Sequence, residues 1–213
     1  MIENALTKIE AESKKRNILY IHGYGGTGNS RTVQALKTYL PDNYNVIELC
    51  FPLNPIEALK LADNTITERK IKAVVASSLG AFTALQMRCC SNFIEAGLKK
   101  IVINPCLYPS KELPKLTDIS DDILQKFVEK EKVIEKTLAG EYLKDLKYGG
   151  REFEEARIRQ TYGVFSTNDE LFSYKDDFSA YYPNVLTIED THHISVENIK
   201  NVIVPLIEAV CAK

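Results

Sequence analysis

Ala76-Ser77-Ser78-Leu79-Gly80 joins the apolar run Lys72–Ala76 to the helix-like segment Ala81–Cys90. A serine on a sharp turn from a strand to a helix presents its hydroxyl beside the N–H groups that open the helix. The stretch therefore predicts a strand, a nucleophile elbow and a helix in succession. A serine pair that ends a strand is also ordinary turn chemistry, so the pentapeptide by itself leaves that alternative open.

Ser78 fits the nucleophile position of this elbow better than Ser77. The strained turn brings the residues two before and two after the nucleophile against neighbouring backbone, so both must be small. With Ser78 as nucleophile these residues are Ala76 and Gly80, whereas with Ser77 the second position falls to the branched Leu79. We therefore expect Ser78 to be the nucleophile, with alanine where the usual motif has its first glycine.

Strand and helix patterns alternate on both sides of this elbow. Six β-rich runs are expected as strands: Asn17–Ile21, Asn45–Leu49, Lys72–Ala76, Lys100–Ile103, Thr161–Phe165 and Asn184–Ile188. Helical patterns cover Ser30–Tyr39, Pro55–Arg69, Ala81–Ala96 and about Val196 to Val210. Most of the strand runs are largely apolar rather than alternating, as in sheets covered on both faces. We expect an α/β fold with a mostly parallel sheet of about six strands flanked by helices.

Domain organisation follows from length and from one break in this alternation. With 213 residues, 45% of them hydrophobic, the chain is expected to form one domain over residues 1–213. The charged interval Tyr108–Gln160 predicts a helical insertion whose best helix is Asp121–Leu138, with Ser120 as its N-cap. This insertion is either a surface element or a lid. Residues Met1–Lys15 have helical spacing and predict an extra N-terminal helix.

Composition argues against several classes of function. The net charge is −2, and the scattered Lys and Arg residues do not form the footprint of a nucleic-acid or membrane-surface protein. No segment has the apolar core of a secretory signal or the length of a membrane span. The five cysteines are odd in number and lack metal-ligand spacing, so we expect a reduced, cytoplasmic protein without a metal site.

The glycine-rich segment after the first strand runs from His22 to Ser30 and satisfies more than one pattern. Gly23, Gly25 and Gly28 match a dinucleotide-binding fingerprint, and Glu48 ends the next strand where a ribose-binding acid is expected. A phosphate-binding P-loop is rejected because Asn29 stands where its lysine belongs.

A further interpretation of this segment is an oxyanion loop. Glycines let the backbone curl beside a nucleophile and direct an N–H group at the developing negative oxygen. The donors would be the backbone N–H groups of Tyr24 and Leu79, and His22 would be structural. This interpretation also accounts for Ser78, whereas dinucleotide binding explains the loop alone.

The acid and base of a serine hydrolase are available in the order that the fold requires, Ser, then acid, then His. Asp169 follows the fifth strand in a polar loop and is the expected acid, with Glu170 or Asp190 as alternatives. The sixth strand is followed by His192 and His193, and one of them is the expected base.

The order of these motifs along the chain resembles that of the α/β-hydrolase superfamily, in particular the YqiA-like family of small bacterial esterases. The resemblance extends from Ile18 to about Ile207. The motifs that carry the resemblance are Leu19-Tyr20-Ile21-His22-Gly23, Ser77-Ser78-Leu79-Gly80, Asn104-Pro105 and Thr167-Asn168-Asp169-Glu170. The family has a glycine-asparagine-histidine segment where this chain has Thr191-His192-His193. The resemblance therefore implies that His193 is the base and that His192 takes the neighbouring position.

The resemblance implies hydrolysis of a small-molecule ester with a short acyl group, through Ser78, Asp169 and His193 and without a cofactor. A thioesterase would use the same residues, and a binding module with an inactive triad is a further alternative. Residues just past the second and fourth strands are expected to line the substrate pocket: Phe51, Leu53, Cys106 and Tyr108.

Overall fold

Six strands form one parallel sheet in the computed structural model, which describes residues 15–27, 29–87, 98–140 and 148–212. The strands are β1 (Arg16–Ile21), β2 (Tyr44–Glu48), β3 (Ile71–Ser77), β4 (Lys99–Ile103), β5 (Thr161–Asn168) and β6 (Asn184–Thr191). They lie in the order β2-β1-β3-β4-β5-β6, and each neighbouring pair is parallel. The carboxyl ends of all six strands therefore meet at one edge.

Helices connect the strands and cover the sheet. The first three are α1 (Arg31–Tyr39), α2 (Pro55–Arg69) and α3 (Leu79–Gln86). After β4 come α4 (Pro109–Glu112), a 3₁₀ turn (Leu113–Lys115), α5 (Asp121–Leu138) and α6 (Tyr148–Arg159). The last are α7 (Lys175–Ser179) between β5 and β6, then α8 (Val196–Asn198), a π-helical turn (Ile199–Ile203) and α9 (Val204–Cys211).

Strand β3 lies at the centre of the core, where its side chains alternate between two hydrophobic clusters. Val74 and Ala76 pack in one cluster with residues of α2, α3 and α5. Ala73 and Val75 pack in the other with residues of α1 and α9. All four are fully buried, which explains why the run is apolar throughout rather than alternating. The expected α/β class, with a parallel sheet of six strands flanked by helices, is confirmed.

Two strands continue through polar residues beyond the ends that their apolar patterns predicted. Strands β5 and β6 each continue three residues past the predicted ends, through Asn168 and Thr191, which pair with each other in the register. Backbone pairing rather than burial holds these extensions, so hydrophobic periodicity does not reveal them. The predicted helix Ala81–Ala96 begins two residues earlier and ends at Gln86; its residues 88–96 lie outside the described part of the chain.

The insertion packs on the core through its main helix. Helix α5 has the predicted bounds, and Phe127 and Ile134 are buried in the first cluster. Ser120 stands at the N-cap position, but its side chain makes no capping hydrogen bond. The extra helix predicted within Met1–Lys15 falls almost entirely outside the described residues. Among the described residues, no helix is long and apolar enough to cross a membrane.

Candidate active site

The turn between β3 and α3 holds Ser78 in a strained backbone conformation, with φ 50° and ψ −118°. A Cβ atom on Gly80 would lie 2.3 Å from the carbonyl oxygen of Ile21 and 2.5 Å from that of His22. Only glycine therefore lets the start of α3 approach the end of β1 this closely. This is the crowding that the sequence predicted two residues after the nucleophile, and it puts Ser78 rather than Ser77 at the elbow.

Neighbouring backbone secures the strained turn. The N–H of Ser78 donates to the carbonyl of Ile103 at 3.0 Å, and the carbonyl of Ser78 accepts from the N–H groups of Ala81 at 3.0 Å and Cys106 at 3.2 Å. Ser77 lies at the end of β3, and its Oγ is 2.9 Å from the hydroxyl of Tyr20. The Ser77 hydroxyl thus has a partner, whereas the Ser78 side chain makes no helix-capping bond.

The glycine loop passes directly beside Ser78. A Cβ atom on Gly23 would lie 3.0 Å from Cβ and 3.6 Å from Oγ of Ser78. The N–H of Gly26 donates to the carbonyl of Gly23 at 3.1 Å, which closes a tight turn, and Gly25 within it has φ 68°. Gly28 lies outside the described residues.

His22 fastens this loop to the loop after β2. Its Nε2 accepts a hydrogen bond from the N–H of Phe51 at 3.0 Å, so Nδ1 carries the proton in the neutral ring. The Nδ1–H donates a hydrogen bond to the carbonyl oxygen of Gly23, with Nδ1 2.8 Å from that oxygen. The contacts assign His22 a structural role in the loop, as expected from the sequence.

The two expected oxyanion donors belong to Leu79, which follows Ser78, and to Tyr24 in the glycine loop. Leu79 is the first residue of α3, where a helix leaves its N–H groups without an intrahelical acceptor. Tyr24 follows Gly23 in the turn beside Ser78. Among the hydrogen bonds of residues 15–27 and 29–87, none uses the N–H of Tyr24 or of Leu79.

Asp169 and His192 form a buried pair at the same edge of the sheet. Nδ1 of His192 lies 3.0 and 2.9 Å from the two carboxylate oxygens of Asp169, and the side chains are 3% and 5% exposed. Backbone N–H groups of Leu171 and Phe172 also donate to Asp169, at 2.9 and 3.1 Å. Burial by itself would raise the pKa of Asp169, but the hydrogen bonds from His192 and from these amides outweigh it and hold the pKa below its ordinary value.

The predicted pairing of Asp169 with His193 is wrong. His193 is exposed, and its ring centroid lies 5.4 Å from that of His192. Both histidines lie in the bend after β6, and the His192 ring is the one that contacts the carboxylate. The edge of the Phe172 ring packs on the His192 imidazole at a centroid distance of 4.8 Å.

The other carboxylates considered for the acid role have structural partners. Glu170 accepts a hydrogen bond from the backbone N–H of His192 at 2.9 Å. Asp190 accepts from the N–H of Ser195 at 2.7 Å and from Nδ2 of Asn198 at 2.8 Å. Both therefore shape the loop that carries His192, while Asp169 contacts its ring.

Asn104 is a buried residue of the site to which the sequence motifs assigned no role. It follows β4 with φ 44°, and its Oδ1 accepts from the N–H of Ser166 at 2.8 Å. Its Nδ2 donates to Oγ of Ser166 and to the carbonyl of His192, both at 2.9 Å. One side chain thus joins the strand that leads to Asp169 to the loop of His192. The Asn104-Pro105 motif was the available signal, although it carried no indication of these contacts.

Two cavities flank the glycine loop. The larger, of about 560 Å³, is lined by Ser78, His192 and His193 among others. The smaller, of about 130 Å³, is lined by Leu79, Phe51 and Leu53 among others. Ser78 and His192 thus share one cavity, and among the hydrogen bonds of the described residues none joins their side chains.

Cys106 and Tyr108 line neither cavity, contrary to the sequence prediction. The chain after β4 runs beneath the elbow, where Cys106 donates its N–H to Ser78, and burial raises the pKa of the Cys106 thiol. The ring of Tyr108 packs against that of Tyr174 at 5.2 Å between centroids.

The contacts of Glu48 bear on the dinucleotide alternative. Its Oε1 forms an ion pair with Nζ of Lys37 at 2.8 Å, whereas its Oε2 is buried without a hydrogen-bond partner among the described residues. Within the described ranges, no group of three or more His, Cys, Asp or Glu side chains has an arrangement that could hold a metal ion.

Solved structures similar to this chain share its fold. Est1E from Butyrivibrio proteoclasticus is 14% identical with a TM-score of 0.59, over 94% of this chain and 90% of that one. A monoacylglycerol lipase from Paleococcus ferrophilus is 13% identical with a TM-score of 0.54, over 91% and 94%. The type II thioesterase YbtT of the yersiniabactin pathway is 10% identical with a TM-score of 0.53, over 92% of each chain. At these identities the likeness shows the fold alone.

A family comparison covers most of the sequence. The model of an uncharacterised protein family, UPF0227, matches residues 17–211. No curated protein matches the chain. The match agrees with the resemblance drawn from the sequence motifs, which begin at Leu19 and extend through Asp169 to the histidine pair.

Proposed function

The chain belongs to the uncharacterised protein family UPF0227, and from the site that its residues form we propose that it is a serine hydrolase of short acyl esters. Ser78 is the nucleophile, His192 is the general base and Asp169 orients the imidazole. The backbone N–H groups of Tyr24 and Leu79 bind the oxyanion.

The observation that carries this proposal is the buried contact of His192 with Asp169 in the cavity that Ser78 also lines. Because the Nδ1–H of His192 donates a hydrogen bond to the Asp169 carboxylate, the lone pair of the neutral ring lies on Nε2, where a base needs it. The lowered pKa of Asp169 keeps the carboxylate charged at neutral pH, so it stabilises the imidazolium that forms when His192 accepts a proton.

The reaction proceeds in two steps. Oγ of Ser78 bonds to the ester carbonyl carbon while Nε2 of His192 takes the hydroxyl proton. The imidazolium returns this proton to the departing alcohol, which leaves an acyl group on Ser78. A water molecule then gives a proton to His192 and its oxygen to the acyl carbon, and the acid departs as Ser78 regains its proton. The acyl-enzyme thus splits one hydrolysis into two easier steps.

The similar structures support acyl transfer in general terms. They include a monoacylglycerol lipase and a type II thioesterase, and both names describe cleavage of an acyl group. The proposal that the acyl group is short rests on the sequence resemblance to the YqiA-like family.

Covalent labelling tests the identity of the nucleophile. A fluorophosphonate reacts with an activated serine, so we expect labelling of the native protein and of Ser77→Ala, and none of Ser78→Ala. Ser77→Ala is the matched control because it removes the adjacent hydroxyl. Labelling that persists in Ser78→Ala would refute the assignment of the nucleophile.

The adjacent histidines provide a second matched pair. In hydrolysis of p-nitrophenyl butyrate, we expect His192→Ala to lower kcat by at least about 10³-fold, because it removes the base. His193→Ala should keep most of the activity, because that ring does not contact Asp169. The reverse pattern would return the base role to His193, and activity unchanged in both variants would overturn the triad.

A further inference from the structure

The larger cavity has one permanently charged side chain on its wall. Among its lining residues in the described part of the chain, Arg31 carries a full charge and none is a carboxylate. Arg31 is the first residue of α1, beside Ser30, which caps this helix by accepting a hydrogen bond from Val33. The cavity that contains Ser78 and His192 is therefore cationic on one side.

Among the residues that the structure describes, the guanidinium of Arg31 contacts a backbone carbonyl group and no carboxylate. Nη2 lies 3.5 Å from the carbonyl oxygen of Ile194, two residues after His192. No carboxylate forms an ion pair with Arg31 among the residues that the structure describes, whereas Lys37, on the same helix, pairs with Glu48. A guanidinium has five N–H donors in a planar fork that matches a carboxylate or phosphate.

The cavity wall also carries large apolar side chains. Tyr24, Leu116 and Leu171 all line it, and they are 42%, 49% and 39% exposed. Large apolar side chains that remain this exposed around a cavity mark a surface that contacts an apolar ligand group. The cavity thus offers an apolar surface and an unpaired cation to the same bound molecule.

We propose that Arg31 binds an anionic group, a carboxylate or a phosphate, on the ester that Ser78 cleaves. The proposal rests on the proposed function, since it names the substrate class of that same site. The apolar residues contact the aliphatic or aromatic part of the substrate, and the guanidinium binds its charged end. Neutral esters lack the second interaction and are poorer substrates.

Two pairs of esters test this proposal and identify which side of the ester carries the anion. In the first pair, mono-p-nitrophenyl glutarate is compared with its neutral methyl ester, so the charge lies on the acyl side. In the second, m-carboxyphenyl butyrate is compared with m-(methoxycarbonyl)phenyl butyrate, so the charge lies on the alcohol side. For each pair the readout is the ratio of kcat/KM for the anionic ester to that for the neutral ester.

Arg31→Gln should lower this ratio about tenfold for at least one pair, as expected for loss of one charge-assisted hydrogen bond. Arg31→Lys keeps the charge without the planar fork and should give an intermediate ratio. Lys37→Gln is the control, because it removes one positive charge from the same helix outside the cavity, and it should leave the ratio unchanged. The native ratio should also fall as ionic strength rises.

The two proposals fail in distinguishable ways. If Arg31→Gln leaves both ratios unchanged while Ser78-dependent hydrolysis of the neutral esters continues, the anion site is refuted and the hydrolase is not. If hydrolysis of the esters survives in Ser78→Ala, the proposed function itself fails. Thermal unfolding of each variant shows whether a changed ratio belongs to a folded protein.

Discussion

Replacing Asn104 by glycine isolates the contribution of its amide group. Glycine adopts the φ of 44° found there without steric cost, so the substitution removes the side-chain contacts and keeps the backbone path. The lost contacts are those to the N–H and Oγ of Ser166 and to the carbonyl of His192, at 2.8, 2.9 and 2.9 Å, and a longer one to the carbonyl of Thr191 at 3.4 Å. Asn104 is 2% exposed, so water does not readily replace them.

The size of the effect follows from the groups left without partners. A buried N–H at Ser166 and a buried carbonyl at His192 each cost about 1–3 kcal/mol when unsatisfied. We therefore expect Asn104→Gly to lower the unfolding free energy by about 4 kcal/mol. For a chain of this length that corresponds to a fall in the thermal midpoint of about 8–16 °C.

The same substitution should lower activity, because Asn104 joins the elements that carry Asp169 and His192. Displacing a catalytic group by about 1 Å costs about 10²-fold in rate, and we expect a fall of this order in kcat/KM for p-nitrophenyl butyrate. Asn104→Asp keeps the Oδ1 acceptor for Ser166 but presents a carboxylate oxygen to the carbonyl of His192. It should therefore lose activity as well.

Asn184→Ala is the matched control for both measurements. Its Nδ2 donates to the carbonyls of Arg159 and Thr161 at 2.8 and 3.2 Å, at the start of β6 and thus at the edge of the sheet opposite the site. We expect it to lower the thermal midpoint without changing kcat/KM. If Asn104→Gly also changed stability alone, Asn104 would have no positioning role, and an unchanged midpoint would refute the reasoning from buried hydrogen bonds.

Three further predictions concern the elbow, the acid and a buried thiol. Gly80→Ala should abolish fluorophosphonate labelling and lower the unfolding free energy by at least about 3 kcal/mol, because the new Cβ would lie 2.3 Å from a backbone oxygen; normal labelling would contradict this. The pKa of Asp169 is lower in the folded protein than its ordinary value. Above the ordinary aspartate pKa of about 4, the native protein should therefore have a larger free energy of unfolding than Asp169→Asn. Urea titrations should show this difference vanish as pH falls through the folded pKa. A constant difference across this range would argue against a charged Asp169. Cys106, whose thiol pKa burial raises, should react with iodoacetamide only on unfolding, whereas the exposed Cys50 reacts in the native state; mass spectrometry distinguishes them.

Much of the architecture could be predicted because it depends on local patterns. Helix α2 begins and ends where predicted, since Asn54 accepts a hydrogen bond from Ile56, proline occupies the first turn and Lys70 takes a left-handed conformation after the last residue. The strained turn at Ser78 could also be predicted from local sequence, because it requires a small residue only two positions away, at Gly80. Asp169 could be found because parallel strands end at one edge, so polar loops that follow them lie together.

The choice between adjacent histidines could not be predicted in the same way. His192 and His193 lie in the bend after β6, so strand periodicity does not indicate which ring contacts Asp169, and the family motif had indicated His193. Cys106 and Tyr108 follow a strand at the correct edge, yet the chain turns beneath the elbow instead of facing a cavity. Neither outcome leaves a signal in the spacing of nearby residues.

The sequence by itself determined the alternation of strands and helices, the covered parallel sheet and the strained serine, because these depend on contacts within a few residues. Only the tertiary structure decided that His192 contacts Asp169, 23 residues away, and that Asn104 reaches 88 residues along the chain to the carbonyl of His192. Such contacts depend on strand register and on the path of loops. Both are set by the packing of the whole sheet, which cannot be predicted from any single segment of the sequence.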